Sequence, residues 1–168
     1  MDEAAREIVA KPISREAWAP FGWLPVADTD PLDGSAVLEF TWDDVHVNRI
    51  SHRRDEVPQT GTGFRCEMMF RHLAHTQVLM PLDARAVVVV APPGVALTSP
   101  AAVAEARAFV LEPLQSVVLH RGTWHWGPFP VVADSVELFN IQGRRYLEDN
   151  DCADLGAIDA CLEVHLGG

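Results

Sequence analysis

The stretch LEPLQSVVLHRGTWHWGPFP, from Leu111 to Pro130, decides how this chain is read. A valine-rich, strand-length run rises to His120, the chain turns at Gly122, and Trp124 and His125 enter the next extended element. Runs of the same kind flank it: RCEMMFRHLAHTQVLMPL, RAVVVVAPPG, ARAFVLEP and SVELFNIQG, each closed by proline or glycine. Short strands at regular spacing predict an all-β barrel or sandwich, with Val87 to Val90 in its core.

Elsewhere the signals are local. Ser14 followed by REAW predicts a capped helical turn ending at Pro20, and WLPVAD after it an edge strand. Residues 32–62 mix acids, prolines and glycines with alternating runs, AVLEFTW and VHVNRI, that read as strands joined by loops. Ser99 and Pro100 predict one helical turn inside a connection. Leu155, Ile158 and Leu162 lie at roughly helical spacing and predict a short helix packed outside the barrel. The expected organisation is one domain over 1–168, with a capped turn and edge strand in 1–24 and a tail carrying that helix in 148–168.

Composition narrows the function classes. The chain has 168 residues, 48% of them apolar, enough for one sizeable core. Its formal net charge is −11, spread along the chain, which opposes binding to nucleic acid or anionic membranes. The longest apolar run, Ala86 to Ala91, falls far short of the ~20 residues a membrane helix needs. MDEAAREIVAKP carries acids where a signal peptide carries lysines, so a cytoplasmic protein is expected. Cys66, Cys152 and Cys161 show neither disulfide nor zinc-type spacing.

Residues 120 to 125 read H-x-G-x-x-H. This resembles the second motif of the cupin superfamily, P-x-G-x-x-H, with His120 in place of the proline and His125 as the motif histidine. Where cupins carry their first motif, HxH, this chain has His75-Thr76-Gln77, two donors on one side of an extended strand. A closer resemblance, from Pro12 to about Arg144, is to the ureidoglycolate lyase family, a cupin branch. PISREAWAPFG, EMMFRHLAHTQVLMPL, RAVVVVAPPG and ARAFVLEPLQSVVLHRGTWHWGPF carry it, the Arg-Gly-x-Trp-His core most specifically. The chain departs from the family at four places. Phe70 replaces a glutamate, His75 a small residue, Trp126 a second histidine, with Gly127 inserted, and Gln142 an aspartate.

The resemblance implies a cupin-type β-barrel (double-stranded β-helix or jelly roll) with short peripheral helices. It also implies elimination of urea from (S)-ureidoglycolate to give glyoxylate, or a related reaction of a small carboxylate. A cation must hold the carboxylate, a base must take the hydroxyl proton and an acid must protonate the leaving nitrogen. Arg71 and Arg121 are the candidates for the carboxylate, because a guanidinium fork matches its two oxygens. His125 is the candidate base or ligand, His72 or His120 the proton carrier, and Gln77 the ureido contact. Glu67 shares strand parity with Arg71 and is a candidate site acid. If one divalent metal ion is bound, His75, Gln77 and His125 are the expected ligands. A homodimer is expected, since pairing barrels buries strand edges.

Plainer readings stand beside these. His125 between Trp124 and Trp126 also suits a core histidine, Arg71 a rim ion pair, Arg121 a surface residue, and His46, His52 and Arg53-Arg54 a solvated loop or lid. His72 and His75 fall on opposite faces of an ideal strand, so at most one faces inward without a bulge. A metal-dependent cupin oxygenase or isomerase, and a non-catalytic cupin binding a small anion, are the alternative functions.

Overall fold

The computed structural model describes residues 5–61 and 63–167. Its elements, in chain order, begin with β1 (Arg6–Pro12), α1 (Arg15–Trp18), β2 (Gly22–Trp23) and β3 (Val45–Arg53). β4 (Gly63–Cys66), β5 (Met68–Arg71), β6 (Gln77–Pro81) and β7 (Ala86–Ala91) follow. Then come α2 (Pro100–Val103), β8 (Arg107–Leu111), β9 (Val117–Leu119), β10 (Trp124–Pro130) and β11 (Ser135–Gly143). β12 (Asp151–Asp154) and β13 (Leu162–Leu166) end the series.

The strands form a curled eight-stranded sheet, β12-β5-β10-β7-β8-β1-β13-β4, and a five-stranded sheet, β2-β9-β6-β11-β3. Together they make a cupin-type jelly roll. β7 explains the arrangement. Its sequence AVVVVA shows no alternation because both of its faces are covered. Ala86, Val88 and Val90 join Leu79, Leu119 and Leu138 between the sheets. Val87, Val89 and Ala91 join Met69, Trp124, Trp126 and Val164 inside the curl of the larger sheet.

Two short helical turns are held by the caps that the sequence indicates. The Ser14 hydroxyl accepts from Ala17 N–H at 3.2 Å, and Ser99 caps the turn that Pro100 opens. Trp18, fully buried, donates its indole N–H to the Val118 carbonyl at 3.0 Å and so fastens α1 to the barrel.

The carboxyl-terminal segment corrects the expectation of a short outer helix. Only Gly156–Ile158 makes a helical turn, a single 3-10 turn. Leu162 and Val164 are buried with period two, because β13 runs parallel to β1 and antiparallel to β4. The helical spacing of Leu155, Ile158 and Leu162 arises where a turn hands over to a strand. β1 was itself not legible: its parallel partners, β8 and β13, lie far along the chain. The expected strand AVLEFTW makes only the isolated bridge of Phe40 with His75.

Leu111, on β8, is fully buried between the sheets. Leu111→Ala is expected to lower stability by ~2–5 kcal/mol. Urea unfolding should show the midpoint falling with an unchanged m-value, and a loss below ~1 kcal/mol would contradict this packing.

Candidate active site

Strand alternation sets the site. On β11, the buried positions are Val136, Leu138, Asn140 and Gln142, so the inner face changes from apolar to amide along the strand. On β3 the same change occurs at the same level, and on β6 one step later, at Gln77. Leu138 lies opposite Pro81 on β6 and Ile50 on β3, and Asn140 lies opposite Leu79 and Asn48. Gln77 heads β6. The amides bond across strands: Gln77 Nε2 donates to Asn140 Oδ1 at 2.8 Å and to Gln142 Oε1 at 3.2 Å. Asn140 Nδ2 donates to Asn48 Oδ1 at 2.7 Å. With both hydrogens of its amide used, Gln77 is left with a buried Oε1 that has no partner among the described residues.

These strands and β10 enclose a cavity of about 370 Å³. Ile50, Leu79, Leu138 and Phe129 give it an apolar part, and Asn48, Gln77 and Gln142 an amide part. His72 and His125 line the mouth, with Phe70 opposite His125 in register and Tyr146, Leu147 and Asn150 above. At Gly127 and Pro128 the pairing of β10 with β7 slips. The bulge brings Phe129 against His52, ring centroids 4.7 Å apart.

The segments around residues 72 and 122 meet directly. Gly122, at φ 78°, donates its N–H to the His72 carbonyl at 2.7 Å. A side chain there would be strained and would press on Leu73 and Pro93, so the turn requires glycine. Residues 72–76 leave the strand conformation between β5 and β6. Strand parity therefore does not separate His72 from His75: their rings stack 4.8 Å apart, and His125 lies 5.3 Å from His72.

Asp149 fixes that turn. Its carboxylate accepts from Leu73 N–H and Ala74 N–H, both at 2.8 Å, and its backbone carbonyl meets His72 Nδ1. A carbonyl only accepts, so His72 Nδ1 carries the proton and Nε2 keeps its lone pair. The same reasoning applies to His75, whose Nδ1 meets the Thr76 carbonyl at 2.9 Å, and to His125, whose Nδ1 lies 3.4 Å from the Thr123 carbonyl. The lone-pair nitrogen of His75 is buried without a hydrogen bond, 3.7 Å from Asp149 Oδ2. His75 in turn needs Gly143, where a Cβ would stand 2.8 Å from its ring.

Burial favours the neutral form of His125 and His72. It pushes His125 down to about 3, with neighbouring His72 adding to the effect. It also lowers His72, against the opposing hydrogen bond to the Asp149 carbonyl.

His72, His75 and Asp149 each offer one ligand atom, all within 4.8 Å of one another. Two imidazoles and a carboxylate, with one histidine nitrogen left unpartnered, form a donor set that fits a divalent metal ion. The hydrogen bonds behind them orient the ligands as outer-shell partners do. Of the ligands expected from sequence, His75 lies in this cluster. Gln77 is in the amide band and His125 stands beside His72 at the mouth.

Other expected residues lie outside the cavity lining. Arg71 stacks over Trp124 at 4.4 Å and pairs with Asp151 at 3.0 Å, on the face away from Phe70. Arg121 pairs with Glu39 at 3.2 Å. His120 packs on Trp23, and Glu67, exposed in the break between β4 and β5, pairs with Arg65. Sequence reasoning missed Asn48 and His52, placed by β3 on the inner face; the alternation of VHVNRISHR was the available signal. It missed Asp149 too, an acid in a turn with no local signature.

A jelly roll whose mouth gathers histidines over a buried amide band is a cupin-type enzyme scaffold. The model of the ureidoglycolate lyase family matches residues 36–161. The chain belongs to that family and so to the carbon–nitrogen lyases. No curated protein matches it.

Between pH 6.5 and about 3 the unfolded chain binds a proton at His125 that the folded chain does not. Stability is therefore full above that window and falls as the pH drops through it. His125→Gln should remove up to about 1.4 kcal/mol per pH unit of this acid loss. Urea unfolding at neutral and acid pH measures it, and an unchanged slope would show that His125 is protonated in the fold. Titration calorimetry with zinc or manganese should find one ion per chain, weakened ~10-fold or more in Asp149→Asn and His75→Ala. Unaltered affinity in both variants would remove the cluster as a metal site.

Proposed function

We propose that this chain releases urea and glyoxylate from (S)-ureidoglycolate in the cavity, with its reacting carbon at the histidine mouth. Gln77 is the observation that carries this reading. Its amide hydrogens are committed to Asn140 and Gln142, so its buried, partnerless Oε1 presents an acceptor to the N–H groups of a ureido substrate. A buried polar atom of this kind discriminates by the cost of leaving it unpaired.

His72 is the proton carrier in this reading. Lowered by burial, it is unprotonated at neutral pH, with Nε2 free to accept the substrate's hydroxyl proton. As the carbonyl forms, the C–N bond breaks with its electrons on nitrogen, and His72 returns the proton there. His125, far below neutrality, acts as a neutral hydrogen-bonding neighbour. His75 and Asp149 would hold a divalent ion beside His72, which keeps its lone pair for the proton. Such an ion supplies positive charge for the carboxylate and acts as a Lewis acid. Arg71, Arg121, His120 and Glu67 then serve the rim, through the ion pairs and ring contacts that engage them.

We also propose one domain, a homodimer and a cytoplasmic location. The nine-residue edge strand β3, exposing Val45 and Val47, supports the dimer. Three unpaired cysteines agree with a reducing compartment. Among the described residues no helix is long and apolar enough to cross a membrane.

A second reading, a metal-dependent oxygenase, is favoured by the two-histidine, one-carboxylate set alone. Incubation with racemic ureidoglycolate, following glyoxylate and urea, decides between them. The lyase reading expects turnover well above spontaneous decay, and a loss of kcat by ~10²-fold or more in His72→Gln. No rate above the spontaneous one, together with tightly bound iron and oxygen uptake, would replace it with the oxygenase.

A further inference from the structure

The cavity is tiered, and ureidoglycolate fills only part of it. The mouth holds His72, His125 and the neighbouring His75 and Asp149. One strand-level deeper lies the amide band of Asn48, Gln77 and Gln142. Further along the strands Leu79, level with Asn48, then Ile50 and Leu138, with Phe129, make an apolar floor that runs to the His52 ring against Phe129. The whole has a volume of about 370 Å³. That is room for on the order of a dozen waters at ~30 Å³ each.

Ureidoglycolate is polar at every end. With its reacting carbon at the histidines and its ureido group on Gln77, its distal nitrogen points at the floor. There it meets hydrocarbon of Leu79, Ile50 and Leu138. The floor gives such a substrate nothing, and it lies where a substituent on that nitrogen would extend.

We propose that the site is built for N-substituted ureidoglycolates, in which the distal ureido nitrogen carries a short apolar group that occupies the floor between Ile50, Leu79, Leu138 and Phe129. This rests on the lyase reading. The reaction balances without a co-reactant. The hydroxyl proton passes through His72 to the proximal nitrogen, the C–N bond breaks with its electron pair on that nitrogen, and the new C=O completes glyoxylate. The substituted urea departs intact.

The test compares ureidoglycolate with its N′-methyl and N′-butyl derivatives on the whole protein, following glyoxylate above spontaneous decay. The proposal expects kcat/KM to rise roughly fourfold per added methylene, so that the butyl compound exceeds the parent by more than tenfold. Ile50→Thr keeps the β-branch and should lower the butyl-to-parent ratio severalfold, a ratio that cancels any general loss of activity. Butylurea should also raise the melting temperature more than urea at equal concentration. A butyl compound cleaved no better than a cleaved parent, an unchanged ratio in Ile50→Thr, or equal melting shifts would each overturn the proposal and leave the lyase reading intact. If none of the three compounds is cleaved, the lyase reading itself falls, and this inference with it.

Discussion

The double burial of β7 is the constraint on which the rest of the molecule depends. All six of its side chains are fully buried, alternating between two separate cores. A strand in that position cannot slip by one residue without exchanging every side chain between the cores. Its neighbour β10 is therefore fixed in register: Trp124 and Trp126 go into the curl of the larger sheet, and His125, opposite Val90, faces the space between the sheets. The tryptophans on either side of His125 are thus part of its positioning. The burial they help to create is what holds the imidazole near pKa 3.

At the mouth, backbone groups do what side chains do in many polar sites. Three carbonyls, of Thr76, Thr123 and Asp149, meet the Nδ1 atoms of His75, His125 and His72. They set one tautomer for all three rings and leave the other nitrogens as lone-pair donors. The turn that carries two of these rings is held by the Gly122 N–H on one side and the Asp149 carboxylate on another. On a third side the strap of residues 39–41 bonds to Ala74 and Thr76. A turn restrained from three directions keeps its rings within reach of one another with little reorganisation, which is what either proton transfer or metal binding requires.

Much of this was legible in the sequence, for identifiable reasons. The run from Gln115 to Pro130 gave both the β-class and the histidine, because valine runs, a φ-positive glycine and terminal prolines are local signals. The Ser14 and Ser99 caps were legible for the same reason. That His75 and His125 share one site followed from the cupin resemblance, and the Gly122 bond to His72 ties their two segments together. What was hidden depends on long range. Strand parity failed for His72 and His75 because the chain leaves the strand between β5 and β6. Arg71 and Glu67 were placed on the cavity side by extending one strand through what are two. Asp149 acts through hydrogen bonds spanning more than seventy residues, and no local pattern announces that.

The electrostatics of the cavity then follow from what was not placed there. Neither arginine named by the sequence lines it; Arg71 is committed to Trp124 and Asp151, and Arg121 to Glu39. His72 and His125 are lowered by burial, so neither brings positive charge at neutral pH. The whole chain is acidic, at −11, which raises the cost of admitting a carboxylate into such a space. A substrate anion here needs a positive partner near the reacting carbon. His75 and Asp149, beside His72 and with the buried His75 nitrogen lacking a hydrogen bond, are the donors placed to hold one. The His75 ring fits there because Gly143 carries no side chain. A mouth that no arginine lines can thus acquire charge by binding a cation.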